Sequence, residues 1–216
     1  MCLPTILMMR IERMEPSRHK KDRILVFLEG GELLKITKNE LLHYDLRPGA
    51  ELPEDVAAEL KKAAALSEMK ARGAKLTGSR MLSKKQVVEH LTRRGGNRAA
   101  AEDTACWLEE LGAVDEAGYG AAIARHYSAA GYGPGRVRQE LQRRGVPREL
   151  WENLLSQLPP AEETAERFIQ SKCKGKQLDG TALRKLSAAL QRRGFSWQEI
   201  APVLRRLEEE IQEYEE

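Results

Sequence analysis

The sequence is poor in aromatic residues and has no long hydrophobic run. Phe, Trp and Tyr make up only 5% of its 216 residues, whereas charged residues make up 32%. This balance favours a helical protein whose core is packed with Leu, Ala and Val. No apolar run approaches the roughly 20 residues that span a bilayer, so we expect no membrane-spanning segment.

Cysteine and histidine are also few, and neither is arranged for a chemical site. Cys2, Cys106 and Cys173 are far apart and form no Cys-x-x-Cys pair. We therefore expect no disulfide framework and no zinc site, and we infer a cytoplasmic location. No nucleotide-binding loop and no hydrolase or metalloprotease motif is present, which predicts a protein that is not an enzyme and needs no cofactor or metal.

A five-residue segment, Leu-x-Arg-Arg-Gly, occurs three times. Its copies begin at Leu91, Leu141 and Leu190, fifty and forty-nine residues apart. Self-similarity at a long, regular period indicates a helical unit built several times. Apolar residues also stand at matched distances before each glycine, at Val87, Val137 and Leu186. The repeats are therefore expected to pack in the same way.

The predicted fold class is mainly α, a tandem array of three three-helix repeats. A small β-hairpin or three-strand region should precede the array, because Arg23–Leu28 is rich in β-forming residues and ends at a Gly-Gly turn. The first long helix is expected to end near Arg72, before Gly73. The predicted domains are an N-terminal β-rich region with a short helix over 1–50 and helical repeats over 53–111, 115–158 and 161–216.

The net charge of +3 is an average over two unlike parts of the chain. The segment from Glu208 to Glu216 holds six Glu, and without it 36 basic residues face 27 acidic ones. The segment is expected to be a solvated helix end. The rest of the chain is basic enough to bind a polyanion or an acidic protein surface.

Helix capping explains the repeated glycine and one arginine of each copy, since a left-handed residue and a cation both suit a helix end. The second arginine is not needed for capping. Stacked repeats would align the pairs into a basic stripe, although such runs are often only solvated faces. Arg136 opposes the dipole of its own helix, and Arg138 and Arg144 are expected to share an exposed face. The candidate partner-binding residues are Lys84, Lys85, Arg93, Arg94, Arg136, Arg138, Arg143, Arg144, Arg192 and Arg193.

The tryptophans, Cys106 and the carboxylates have structural interpretations. Trp107, Trp151 and Trp197 fit either base stacking or core packing, and their apolar helical surroundings favour the core. Cys106 is expected to be a buried thiol. The carboxylates are expected on exposed helical faces, where they pair with Lys and Arg.

Three stretches of the chain have a distinctive pattern of residues. They are Arg80-x-x-Ser83-x-x-Gln86-Val87-x-x-x-Leu91-x-x-Arg94-Gly95, Leu111-Gly-Ala-Val-Asp115-Glu116-x-x-Tyr119, and Gly131-Tyr-Gly-Pro134-x-Arg136-Val137-x-x-Glu140-Leu141-x-x-Arg144-Gly145. These stretches resemble a known family, the RecX regulators of the RecA recombinase. The resemblance is strong over about 80–158 and looser in the third repeat.

The resemblance implies a protein that lies in the groove of the RecA–DNA filament. It would depress ATP hydrolysis and strand exchange in recombination, DNA repair and the SOS response, and would have no active site of its own. We expect a monomer. Two alternatives stay open: a general nucleic-acid-binding helical protein, which would take single- or double-stranded DNA, and an adaptor for an unrelated acidic protein.

Overall fold

The computed structural model describes residues 8–93, 95–173 and 179–215, with side chains up to 209 in the last helix. Over these residues it has four strands and ten α-helices, and nine of the helices follow the last strand. This arrangement confirms the predicted fold class. The chain divides into two compact units. The first holds the described residues up to Arg80 together with Val87–Ala113, and the second holds Met81–Gln86 and the described residues from Val114 onward.

The strands form one antiparallel sheet in the first unit. They are β1 (Met8–Pro16), β2 (Ile24–Leu28), β3 (Glu32–Ile36) and β4 (Glu51–Pro53), in the spatial order β3-β2-β1-β4. The prediction of three strands is therefore wrong by one, because β4 is too short to show an alternating pattern. The sheet also extends past residue 50, where the β-rich region was predicted to end.

The helices follow a regular plan. They are α1 (Lys38–His43), α2 (Glu54–Thr77), α3 (Lys84–Thr92), α4 (Arg98–Glu110), α5 (Glu116–Ala129), α6 (Pro134–Arg144), α7 (Trp151–Ser156), α8 (Ala161–Cys173), α9 (Gly180–Arg192) and α10 (Trp197–Glu215). Repeat 1 is α2–α4, repeat 2 is α5–α7 and repeat 3 is α8–α10. The four domain limits given above stay a prediction. No described helix is both long and apolar enough to cross a membrane.

The sheet packs on the first half of α2. Ile11, Val26, Leu28 and Leu60 are fully buried between them. The buried guanidinium of Arg23 donates hydrogen bonds to the hydroxyl and the carbonyl oxygen of Ser67 in α2, at 2.6 and 2.7 Å. A buried charge needs such partners, so this contact ties the start of β2 to the helix.

Helix α2 continues to Thr77, so the prediction that it ends near Arg72 is wrong. Gly73 is buried inside the helix, and a Cβ atom there would lie 3.0 Å from the side chains of both Leu108 and Thr104 in α4. The glycine therefore lets two helices approach closely. An isolated glycine in a sequence favours a helix end, because the packing of another helix against it is not apparent from the sequence.

The repeated glycines end their helices in the predicted conformation. Gly95, Gly145 and Gly194 have φ values of 79°, 76° and 88°. These angles are left-handed, where a residue with a side chain is strained. The matched apolar residues Val137 and Leu141 before Gly145 are fully buried, so the apolar face and the helix end are set by the same segment.

Within the second unit, Gly145 and Gly194 also join one repeat to the next. The hydroxyl of Ser83, just before α3, donates a hydrogen bond to the carbonyl oxygen of Arg144 at 2.6 Å. A Cβ atom on Gly145 would lie 2.6 Å from Cβ of Lys85, so the two chains are in close contact. The end of α6 thus rests against the first turn of α3.

The same contact recurs between repeats 3 and 2. The backbone nitrogen of Gly133 donates to the carbonyl oxygen of Arg193 at 3.0 Å, and that of Gly135 donates to Gly194 at 2.9 Å. A side chain on Gly194 would collide with the backbone nitrogen of Arg136. We call each such contact, between the end of one middle helix and the first turn of the preceding one, a repeat junction. Capping alone therefore does not account for these glycines.

We predict that Gly194→Ala destabilises the protein more than Gly131→Ala does. Both glycines are left-handed, with φ of 88° and 77°, so both variants should lose about 1–2 kcal/mol to backbone strain. A Cβ atom on Gly131 would meet only ordinary contacts at 3.5 Å or more, whereas on Gly194 it strikes the backbone of Arg136. Urea unfolding followed by circular dichroism measures the difference, expected to exceed about 1 kcal/mol. Equal losses would show that the junction tolerates a side chain.

Candidate functional site

Three of the predicted arginines gather around one buried carboxylate in repeat 2. Arg136, Arg143 and Arg144 lie four residues before, three after and four after Glu140, so all point to one side of α6. We call Glu140 with these three arginines the Glu140 cluster. Its three positive charges face one negative charge, so the cluster keeps a net charge of about +2.

The distances in the Glu140 cluster are those of direct ion pairs. Arg136 Nη2 lies 3.0 Å from Glu140 Oε1, and Arg143 Nη2 lies 2.7 Å from Oε2. Arg144 Nε is farther, at 3.6 Å. Only 4% of the Glu140 side chain is exposed, against 42%, 64% and 31% for Arg136, Arg143 and Arg144. The carboxylate is thus an internal anchor, and the guanidinium groups form the outer surface.

Two tyrosines complete the surroundings of the cluster. Arg144 Nη1 donates to the hydroxyl of buried Tyr119 at 3.1 Å. Tyr127 acts on the cluster by lowering the pKa of Glu140. Burial acts to raise the pKa of Glu140, but the hydrogen bonds from Arg143 and Tyr127 and the charges of Arg143 and Arg136 outweigh it. The pKa of Glu140 therefore lies below its ordinary value, and the carboxylate is ionised at neutral pH.

The spacing that builds the cluster occurs only in the second copy of the motif. Five residues before the glycine, the position of Glu140 is taken by His90 in repeat 1 and by Ala189 in repeat 3. The first and third repeats therefore have no carboxylate at this position to gather their arginines. The sequence shows that only the second motif copy has a glutamate at this position. We nevertheless expected every carboxylate to lie on an exposed helical face. That expectation is wrong for Glu140 and for Glu116, which are both buried.

Lys84 and Lys85 lie beside the cluster, at the first repeat junction. The backbone nitrogen of Lys84 donates to Oε1 of Glu116 at 2.9 Å, which satisfies one of the free N–H groups at the start of α3. The stem of Lys85 covers Gly145, and its side chain is exposed. Lys85 therefore adds a positive charge next to Arg144.

Arg138 and Arg192 are exposed, and neither has a polar partner among the described residues. The expectation that Arg138 and Arg144 share a face is wrong. Six residues apart, they stand about 120° apart around α6. Arg138 therefore points away from the Glu140 cluster.

Arg193 has a structural role, which distinguishes it from the equivalent Arg144. Its Nη1 donates to the carbonyl oxygens of Ala130 and Gly131, at 2.9 and 3.1 Å. Its guanidinium group also lies over the rings of Tyr132 and Phe168, 4.7 and 4.3 Å from their centroids. These contacts hold repeat 3 against the end of α5.

The prediction that equivalent arginine pairs align in a single basic stripe is therefore wrong for repeats 2 and 3, because Arg193 faces into the repeat boundary. In repeat 1, Arg93 is exposed, and its guanidinium lies 4.0 Å from Glu89. Arg94 lies outside the described residues.

Two further expectations on side chains are corrected by the structure. Trp197 is 59% exposed, so the expected core position is wrong for this residue. Trp107 and Trp151 are half-buried, and Trp151 packs against the hydrophobic core of repeat 2. Each of the half-buried rings lies beside a cation, Lys70 for Trp107 and Arg148 for Trp151. Cys106 is exposed rather than buried.

Known proteins provide an independent view of the chain. The model for the second three-helix domain of RecX matches residues 115–155, which is repeat 2 with its Glu140 cluster. The chain is also 29% identical over 188 residues to the regulatory protein RecX of Geobacillus kaustophilus, with 84% of this chain and 70% of that protein covered. The chain is therefore similar to RecX proteins over most of its length. These RecX relatives are named as regulatory proteins and not as enzymes.

More distant RecX proteins are also similar, and two solved structures share the fold. The regulatory protein RecX of Caldanaerobacter subterraneus is 22% identical over 187 residues, with 87% of this chain and 94% of that protein covered. The crystal structure of a regulatory protein RecX matches with a TM-score of 0.71 at 21% identity, covering 90% of this chain and 98% of that one. RecX from Lactobacillus salivarius matches with a TM-score of 0.58 at 16% identity, covering 67% and 97%.

We predict that Glu140→Gln lowers the free energy of unfolding at pH 7 by about 1–3 kcal/mol, because three arginines lose their shared counter-charge. Since the pKa of Glu140 is lowered by folding, its stabilisation is complete above the ordinary carboxyl pKa of about 4.5. It is lost as the pH falls through the lower pKa of the folded state. The gap between the native protein and the variant should therefore narrow below about pH 4.

Urea unfolding at pH 7 and at about pH 3 measures this gap. Glu162→Gln is the matched control, because Glu162 pairs with Arg206 at 3.3 Å on the surface of repeat 3. An exposed pair of this kind contributes less than about 1 kcal/mol. A gap for Glu140→Gln that is no larger than the control's at pH 7, or that widens in acid, would contradict the anchoring role.

Proposed function

We propose that this chain regulates a RecA-type recombinase by binding its nucleoprotein filament and depressing ATP hydrolysis and strand exchange. The Glu140 cluster supports this proposal. It displays three guanidinium groups with a net charge of about +2 on the part of the chain that the RecX domain model matches. The family resemblance supplies the identity of the partner.

The cluster is suited to docking because its side chains are already positioned. A free arginine loses roughly 2 kcal/mol of side-chain entropy when a partner immobilises it. Glu140 holds Arg143 by two hydrogen bonds, at 3.0 and 2.7 Å, while 64% of the arginine side chain stays exposed. Much of that entropy is therefore lost on folding, and binding an acidic surface costs less.

Regulation by binding requires only a preference between filament states. A partner that binds one state about ten times better than another shifts their balance by about 1.4 kcal/mol. The proposed docking residues are Lys84, Lys85, Arg93, Arg136, Arg138, Arg143, Arg144 and Arg192. Arg193 is left out because its guanidinium is held inside the repeat boundary. We infer that the protein acts as a monomer in the bacterial cytoplasm.

We predict that Arg143→Gln weakens inhibition of DNA-stimulated ATP hydrolysis by the recombinase. Losing one charge-assisted contact of about 1–1.5 kcal/mol should raise the half-inhibitory concentration about five- to tenfold. Glutamine is preferred to glutamate here, because a second carboxylate next to Glu140 would disturb the fold. Arg138→Gln tests the exposed side of α6 in the same assay.

Arg205→Gln is the control, because it removes one exposed arginine from α10. All variants are first checked for native helicity and unfolding free energy. Inhibition that is unchanged in the Arg143 and Arg138 variants would refute docking through this surface. Tight binding to DNA without the recombinase, together with no binding to the filament protein, would favour the general nucleic-acid binder. Failure to bind either would favour an adaptor for another acidic protein.

A further inference from the structure

A second concentration of positive charge lies in the first unit, where the end of α2 meets α3. It surrounds an open groove of about 390 Å³, lined by Arg72, Lys75, Leu76, Ser79, His90 and Leu91. We call this the α2–α3 groove. None of these side chains is among the docking residues proposed above.

The cations of the groove come from two directions. Arg72 and Lys75 stand one turn apart on α2, so they face the same side. Arg80 follows the helix, and its Nη2 lies 2.8 Å from Nε2 of His90, a lining residue. The Nε atom of Arg72 is buried and has no hydrogen-bond partner among the described residues.

The positive charge of the groove is not balanced locally. No carboxylate lines the groove, and within the described part of the chain Arg72, Lys75 and Arg80 form no ion pair. The ends of α2 and α3 each contribute about half a negative charge, which leaves an excess of about two positive charges. His90 stands where repeat 2 has Glu140, so the position that neutralises the arginines in repeat 2 is an imidazole here.

We propose that the α2–α3 groove binds a phosphate group of a nucleic-acid strand. Guanidinium forks and a lysine are the groups that hold phosphate oxygens in proteins. Leu76 and Leu91 give the groove an apolar floor against which the adjoining sugar can pack. The groove opens to solvent and has no helix N-terminus, so it suits a phosphate within a strand better than an enclosed free phosphate.

This proposal does not rest on the recombinase, and its test omits that protein. Fluorescence anisotropy of a labelled oligothymidylate measures binding by the full chain between about 50 and 200 mM salt. Lys75→Gln is expected to weaken binding about three- to tenfold. It should also make the plot of log affinity against log salt shallower by about 0.7, the change for one phosphate contact on a single strand.

Lys62→Gln is the matched control, since Lys62 is an exposed lysine of the same helix outside the groove. It should leave both affinity and slope unchanged. Arg72→Gln is a second groove variant. Lys75 is the first choice because its exposed side chain can be replaced without disturbing the core.

Three results would overturn the proposal. Equal losses in the Lys75 and Lys62 variants would mean diffuse attraction without a site. An unchanged slope in Lys75→Gln would mean that no phosphate contact is made there. Competition by inorganic phosphate as strong as that by the oligonucleotide would mean a pocket for a free anion.

Discussion

The architecture of the second unit depends on the repeat junction, in which one helix ends against the beginning of another. At both junctions the arginine before the glycine accepts a hydrogen bond through its carbonyl oxygen, and the glycine leaves room for the opposing chain. A negative helix end thereby meets a positive one, which is favourable. The glycine serves as a helix cap and as a spacer, so one motif both ends a helix and connects two repeats.

The junction brings the arginines to matched places, but their neighbours give them different roles. In repeat 2 the side chains turn to Glu140 and remain at the surface. In repeat 3 the residue at the position of Glu140 is Ala189, and Arg193 packs over Tyr132 and Phe168 instead. In repeat 1 the position of Glu140 is occupied by His90, which lines the α2–α3 groove. No carboxylate is among the residues that line this groove. The motif arginines thus form an anchored cluster in repeat 2 and a structural clamp in repeat 3. The first copy lies beside a groove whose lining cations, Arg72 and Lys75, come from α2.

Sequence reasoning succeeds where a feature depends on neighbours along the chain. The left-handed glycines follow from a motif of five residues, and the buried faces follow from helical spacing. It fails where a distant segment decides. Helix α2 passes through Gly73 because α4 packs there, and β4 forms because β1 is available to pair with it. Trp197 is exposed although its apolar helical surroundings suggested a core position.

By itself, the sequence determined that this protein repeats a helical unit, where its repeated helices end and which of their faces are apolar. These properties depend on hydrogen bonds and packing within a few residues. Only the tertiary structure decided which arginine side chains are engaged in contacts within the protein and which remain exposed. Arg193 binds carbonyl groups 62 and 63 residues away, and Ser83 reaches Arg144 across 61 residues. Because a guanidinium group pairs with whatever acceptor the fold brings near, copies of one motif acquire different structural roles.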